Sequence, residues 1–184
     1  EICQHGLGHG IQAMFGYNES DLKQALDVCD PLQGDEPLIR CDGGVFMEYN
    51  IHTIQNVEGV PGIREVEGGD YMAPCDAVDD KFRYSCLYWL PQWWFASSPI
   101  EVRDPDRLKT FEAFTEMGER CATSEYPRAC YEGIGYIMIS ASGFNPDRAR
   151  DICDAVGTKN RGNLYCRSMA GAIFSGADSQ RDGA

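Results

Sequence analysis

The residues with the most chemistry in the smallest space are His5 and His9, in the stretch Cys3-Gln-His5-Gly-Leu-Gly-His9. Imidazoles at i and i+4 share one face of a helix, and Cys3 is close by. That spacing suits zinc, copper or haem iron. The glutamate that a His-Glu-x-x-His metalloprotease uses as its base is missing. His9 also aligns with Tyr136 in a later copy of the same segment, which makes it a polar-tipped packing position. The expected cofactor and metal content is therefore none, with His5 and His9 as the one candidate pair for a metal or haem.

Other chemistry has weaker signals. No Gly-x-Ser-x-Gly elbow and no Walker loop occur, and His52 pairs recognisably with no serine or free cysteine. Two glycosidase carboxylates far apart in sequence would leave no local signature, so spacing singles out no acid pair. The expectation is a chain that is not an enzyme. Tyr84, Tyr88, Trp89, Trp93, Trp94 and Phe95 offer rings that could stack on sugars; core and protein interface is the favoured reading. Asn18-Glu19-Ser20 fits the N-glycosylation sequon. Ser97, Ser98, Ser140 and Ser142 offer hydroxyls for O-linked sugars.

Charge narrows the partners. The 184 residues carry a formal net charge of -13. Binding nucleic acid needs a basic face that releases counterions, so that class is set aside, and anionic membranes are disfavoured on the same ground. No stretch of about 18 consecutive apolar residues occurs, which argues against a transmembrane helix. No Asp-x-Asp-x-Asp-Gly calcium loop appears. The opening Glu1-Ile2-Cys3 reads as a trimmed chain whose export signal has been removed.

The elements that must position all of this are marked by nine cysteines. Eight fall into a ladder of near neighbours, Cys29 with Cys41, Cys75 with Cys86, Cys121 with Cys130 and Cys153 with Cys166, separated by 11, 10, 8 and 12 residues. No Cys-x-x-Cys is present, so zinc modules and thioredoxin chemistry give way to disulfides in an oxidising compartment. Sequence alone does not settle connectivity. Pairing neighbours is adopted because one bond then closes each short loop. Cys3 is left over: it is either free and buried, or bonds another chain or a removed segment.

Cysteines that open apolar runs recur at 3, 41, 86, 130 and 166. In Cys3-Gln-His-Gly-Leu-Gly and Cys130-Tyr-Glu-Gly-Ile-Gly, Gly6 matches Gly133 and Gly8 matches Gly135. We call these A segments. Glycine weakens a helix by about 1 kcal/mol, so its recurrence implies that two helices approach closely there. Each A segment leads through a turn to an amphipathic B segment that ends on the first cysteine of a pair. Asn145-Pro146-Asp147 and Asp104-Pro105-Asp106 are helix starts, with an N-cap, Pro at N1 and an acid in the first turn. In Ser20–Cys29, Leu22, Ala25, Leu26 and Cys29 fall on one face. The second B segment, near Tyr71-Met-Ala-Pro-Cys75, is short. It follows a Gly-rich insertion over about residues 50–70. Pro91 is expected to kink or restart the third A helix.

The expected fold is all-α: about nine helices in hairpins of roughly 40 residues that bury their faces by stacking, as in a solenoid. The expected units of this single domain, 1–184, are 3–40, 41–85, 86–129 and 130–165. A terminal helix 166–177 and a polar tail 178–184 follow. Hairpins with small residues at the A/B contact and Pro or Asp at the start of helix B resemble the tetratricopeptide and Sel1-like superfamily. The family's usual Trp, Leu-Gly and Tyr spacing is not matched. The resemblance implies a right-handed solenoid. With the disulfide ladder, the chain is similar to secreted tetratricopeptide-like proteins that polymerise into extracellular, often glycosylated fibres.

The terminal segments point the same way. Ile2, Leu7, Ile11 and Phe15 in the first and Met169, Ile173 and Phe174 in the last are apolar where a solenoid would carry polar caps. Two unlike apolar faces make a head-to-tail contact that propagates. The expected function is a structural subunit that self-assembles into an extracellular fibre, glycosylated at Asn18, with itself as partner. A secreted protein- or glycan-binding repeat module is the alternative, and a metal or haem protein using His5 and His9 the second.

Overall fold

The computed structural model describes residues 2–32, 40–54, 62–65, 69–99 and 108–181. Among these residues the regular structure is helical, with no strand. In chain order the α-helices are α1 Ile2–Phe15, α2 Glu19–Cys29, α3 Cys41–Ile51, α4 Asp80–Ser97, α5 Leu108–Thr123, α6 Pro127–Tyr136, α7 Met138–Ala141, α8 Pro146–Ala155 and α9 Gly162–Arg181. Two compact units divide the chain, Glu1–Ser97 and Ser98–Ala184. Cys29–Cys41 and Cys75–Cys86 staple the first unit. Cys121–Cys130 and Cys153–Cys166 staple the second. Loops of this size, once closed, destabilise the unfolded chain by about 3 kcal/mol per bond.

Local chemistry starts the helices. Asn18 caps α2: its Oδ1 accepts the Asp21 N–H at 3.0 Å, and the Asp21 carboxylate accepts the Asn18 N–H at 3.1 Å. This reciprocal box satisfies two donors that the first turn would otherwise leave bare. Asn145 does the same for α8 through the Arg148 N–H at 3.0 Å, with Pro146 at the first helical position. Pro127 occupies that position in α6. The start expected at Asp104-Pro105 lies outside the described residues.

Packing within each unit follows the glycines. In the first unit α1 lies on α3, α3 also packs on α4, and α2 packs on both α1 and α3. A Cβ on Gly8 would run into the Cys41 carbonyl, and one on Gly44 into the His5 carbonyl. In the second unit α6 lies on α9, α5 on α8, and each of those pairs is bridged by α5 against α6 and α8 against α9. A Cβ on Gly135 would meet the Cys166 carbonyl, and one on Gly118 the Val156 carbonyl. Gly8 and Gly135, aligned in sequence, thus make the same kind of contact: each lies against the carbonyl of a disulfide-bonded cysteine of the neighbouring A helix. Gly6, by contrast, faces open space.

Four expectations are corrected. Residues 71–79 form turns rather than a B helix; the Asp70 carboxylate accepts the Met72 and Ala73 N–H groups at 2.9 and 3.1 Å, and Pro74 has no N–H with which to continue a helix. Cys86 does not open the third A helix, because α4 begins at Asp80 and buries Phe82 and Ser85 ahead of it. Pro91 does not restart the helix, since α4 continues through it to Ser97 with Trp89, Trp93 and Trp94 buried on either side of the proline. The terminal helix exceeds 166–177, running from Gly162 to Arg181 and taking in part of the expected tail.

The contrast between the glycines is measurable. Gly8→Ala should lower stability by about 2–3 kcal/mol, because two backbones must part. Gly6→Ala should raise it by roughly 0.5–1 kcal/mol, because it only restricts the unfolded chain. Urea unfolding midpoints of the two variants decide the matter.

Candidate functional site

The close approach of α1 to α3 brings all three histidines to one polar cluster in the first unit. Its centre is Glu48 on α3, whose residue is fully buried. The carboxylate accepts hydrogen bonds from His9 Nδ1–H at 2.9 Å, the Tyr17 hydroxyl at 2.8 Å, the Ile54 N–H at 2.9 Å and the Thr53 hydroxyl. Burial alone would raise its pKa. The bonds from His9, Thr53, Ile54 and Tyr17 outweigh it and hold the carboxyl at about 2. His52 lies on Tyr17, with ring centroids 3.9 Å apart. Burial lowers the His52 pKa, opposed by the Glu48 charge.

His5 is wedged between helices. Its ring centroid is 5.0 Å from that of His9 and 5.1 Å from that of Trp89. Burial, with the neighbouring His9 adding to it, lowers its pKa to about 4, against a smaller raising effect of the Arg40 carbonyl. His5 Nδ1 is buried without a hydrogen-bond partner among the described residues, which fits a neutral ring.

Two further clamps flank the cluster. Asp42, also fully buried, accepts from Arg40 Nε at 3.2 Å and Nη2 at 2.8 Å, and from the Gly43 N–H at 2.9 Å. Burial raises its pKa, with Arg40 opposing. Arg64, from the insertion, donates to Asn50 Oδ1 at 3.0 Å and to the Ala73 carbonyl at 2.6 Å, and its guanidinium stacks 3.8 Å from the Trp93 ring. Trp93 Nε1–H donates to the Arg64 carbonyl and Trp94 Nε1–H to the Tyr71 carbonyl, both at 2.7 Å. The tryptophans therefore form core and anchor the insertion; buried to within 3% exposure, they present no platform for sugars.

A carboxylate aiming an imidazole is half of a catalytic dyad or the outer shell of a metal site. Here the other half is not assembled among the described residues. No group of three or more His, Cys, Asp or Glu side chains is placed there to hold a metal ion. A groove of about 370 Å³ lies elsewhere in the unit, against α2 and residues 74–82, and neither His9 nor Glu48 lines it. What the cluster does is join three segments through one buried charge: α1, the turn before α2, and the chain leaving α3.

The other expected site residues are dispersed. Cys3 is a free, exposed thiol on α1. Asn18 is exposed at the N-cap of α2. Of the expected assembly residues, Leu7 is exposed, Phe15, Ile173 and Phe174 are half-buried, and the Ile2 side chain lies outside the described residues. Met169 is half-buried as well, its Cβ 2.7 Å from where a Gly135 Cβ would stand. One is corrected: Ile11 is buried in the core. Glu48, Tyr17, Thr53 and Arg64 were not singled out by sequence. The available signal was the pair of acids Asp42 and Glu48 inside an otherwise apolar A segment, since a buried acid needs partners.

No protein-family model, curated protein or solved structure matches the chain. The described residues define an all-helical protein stapled by four disulfides, with a buried polar cluster in its first unit. No helix among the described residues is long and apolar enough to cross a membrane.

Removing the central charge should be costly. Glu48→Ala strands four donors and should lose about 3–5 kcal/mol in urea unfolding. The pH dependence has a defined sign. His5 titrates near 4 when folded against 6.5 ordinarily, so between these values the unfolded chain binds more protons. Stability should fall as pH drops through that window, and His5→Gln should flatten this limb of the urea midpoint against pH. The Glu48 contribution, present above about 4.5, should fade only as pH falls toward about 2.

Proposed function

We propose that the chain is a secreted, non-enzymatic structural subunit of tetratricopeptide-like hairpins that self-assembles head to tail into an extracellular fibre. The observation that carries this reading is the outer face of α1. Cys3, Gly6, Leu7, Gly10 and Met14 recur at helical spacing and are all exposed, Leu7 at 47% and Met14 at 74%. Nothing lies within 4 Å of where a Cβ on Gly6 or Gly10 would stand. It is the same kind of small-residue face through which Gly8, on the other side of the helix, seats α3. On α9 the exposed Leu164, Ser168, Gly171, Ala172 and Ser175 form a comparable stripe, opposite the side that meets α6. A contact between two unlike faces propagates into a filament unless it closes into a ring.

Consecutive packing of α1, α3 and α4, and of α5 with α8, supports the solenoid reading. Four disulfides support an oxidising compartment. Cysteine arithmetic refines the role of Cys3: the other eight are paired, so α9 offers it no thiol. A disulfide through Cys3 would link α1 to α1 of a second copy, and head-to-tail contact must be non-covalent.

A second reading has its own observation. The groove in the first unit has an apolar floor of Leu22, Leu26, Pro74 and Phe82 and a charged rim of Glu19, Lys23, Asp27 and Asp79, which suits an extended peptide or glycan.

Negative-stain electron microscopy and sedimentation on concentrated protein separate these readings. The wild type and Cys3→Ser should form filaments, and Leu7→Glu should remain monomeric with an unchanged unfolding midpoint. A wild type that stays monodisperse at every concentration sinks the assembly reading, and a stoichiometric co-purifying ligand lost in Lys23→Glu, an exposed rim residue, favours the groove.

A further inference from the structure

We propose that Asn18 carries an N-linked glycan, and that the helix cap it forms survives the modification. Asn18-Glu19-Ser20 is the one sequon in the chain. The structure adds what a tripeptide match lacks. Asn18 is exposed, in the turn that joins α1 to α2, two residues after Gly16, whose φ of 117° only glycine adopts freely. Its Oδ1 accepts the Asp21 N–H of the cap at 3.0 Å and the Ser20 hydroxyl at 2.6 Å. No described residue accepts from its Nδ2. The atom that must form the bond to sugar is therefore the one atom of the side chain that the fold does not use. The hydroxyl that the sequon demands already touches the acceptor amide.

Glycosylation here is a group transfer with no redox step. Nδ2 gives up one proton and forms a bond to the anomeric carbon of an oligosaccharide carried on a lipid diphosphate. The bond from that carbon to the diphosphate oxygen breaks, and the lipid diphosphate leaves, accounting for the proton lost. Oδ1 stays free to accept, so the capping box persists and α2 keeps its start. The attached sugar, bulky and hydrated, stands on the solvent side of the α1–α2 turn.

Asn145 supplies an internal control. It is exposed, caps α8 through the same kind of Oδ1 bond, and is followed by Pro146, which excludes it from the sequon. The chain should be secreted from a eukaryotic host and its peptides weighed before and after treatment with peptide N-glycosidase. The peptide holding Asn18 should carry an N-acetylhexosamine-containing mass, and the enzyme should leave Asp in place of Asn18. The peptide holding Asn145 should be unmodified. Ser20→Ala, which keeps the Asn18 cap, should abolish the glycan with little change in thermal midpoint, and Ser20→Thr should retain it. An unmodified Asn18 in chain secreted beside a host glycoprotein that is fully modified overturns the proposal, as does hexosamine that persists on Asn18 in Ser20→Ala. Both results are read on monomer and filament alike, so they are independent of the assembly reading.

Discussion

The structure depends on the backbone-to-backbone approach of neighbouring A helices at a disulfide-bonded cysteine. At Gly8 and again at Gly135, the absence of a side chain lets one helix lie on the carbonyl of a disulfide-bonded cysteine in the next. That cysteine is in turn tied to the end of the preceding B helix, Cys41 to Cys29 and Cys166 to Cys153. Glycine opens the space and the disulfide limits how the helices slide within it. Neither alone would suffice. A glycine contact buries little apolar area, and a short disulfide loop constrains mainly the unfolded chain.

This spacing has consequences for charge. Two helices at such short range bring a carboxylate on one within reach of an imidazole on the other, and Glu48 is the result. Its burial would be prohibitive without partners, so the chain supplies four donors from three segments. Asp42 with Arg40, and Arg64 with the tryptophans, follow the same logic. In each, a charge inside the first unit is matched by fixed hydrogen bonds, and each match ties an irregular segment to a helix. Arg64, in the insertion after α3, is held to Asn50, Ala73 and Trp93.

The exposed faces of α1 and α9 show the same small-residue chemistry with nothing on them. Within each unit that chemistry seats one helix on another. The proposed assembly extends this packing between copies, and Asn18 stands one turn beyond the end of α1, where carbohydrate would leave the Gly6 and Gly10 stretch at the start of the helix bare. The surplus of acids lies mostly on the surface, where it keeps copies apart unless an apolar face draws them together.

Sequence by itself determined the helical class, the regular spacing of the cysteines and the caps at Asn18 and Asn145, because all of these are written in local spacing. It misjudged the turn at 71–79 and the run through Pro91. In both, the outcome depends on what packs around the segment: a carboxylate and a proline at the first, buried tryptophans at the second. Only the tertiary structure decided how the cysteines pair, which glycines face a neighbour, that Ile11 points inward, and that His9, His52, Tyr17 and Glu48 share one site. Those residues are up to 43 positions apart. Their meeting follows from how closely α1 lies on α3, a distance that no local pattern of residues contains.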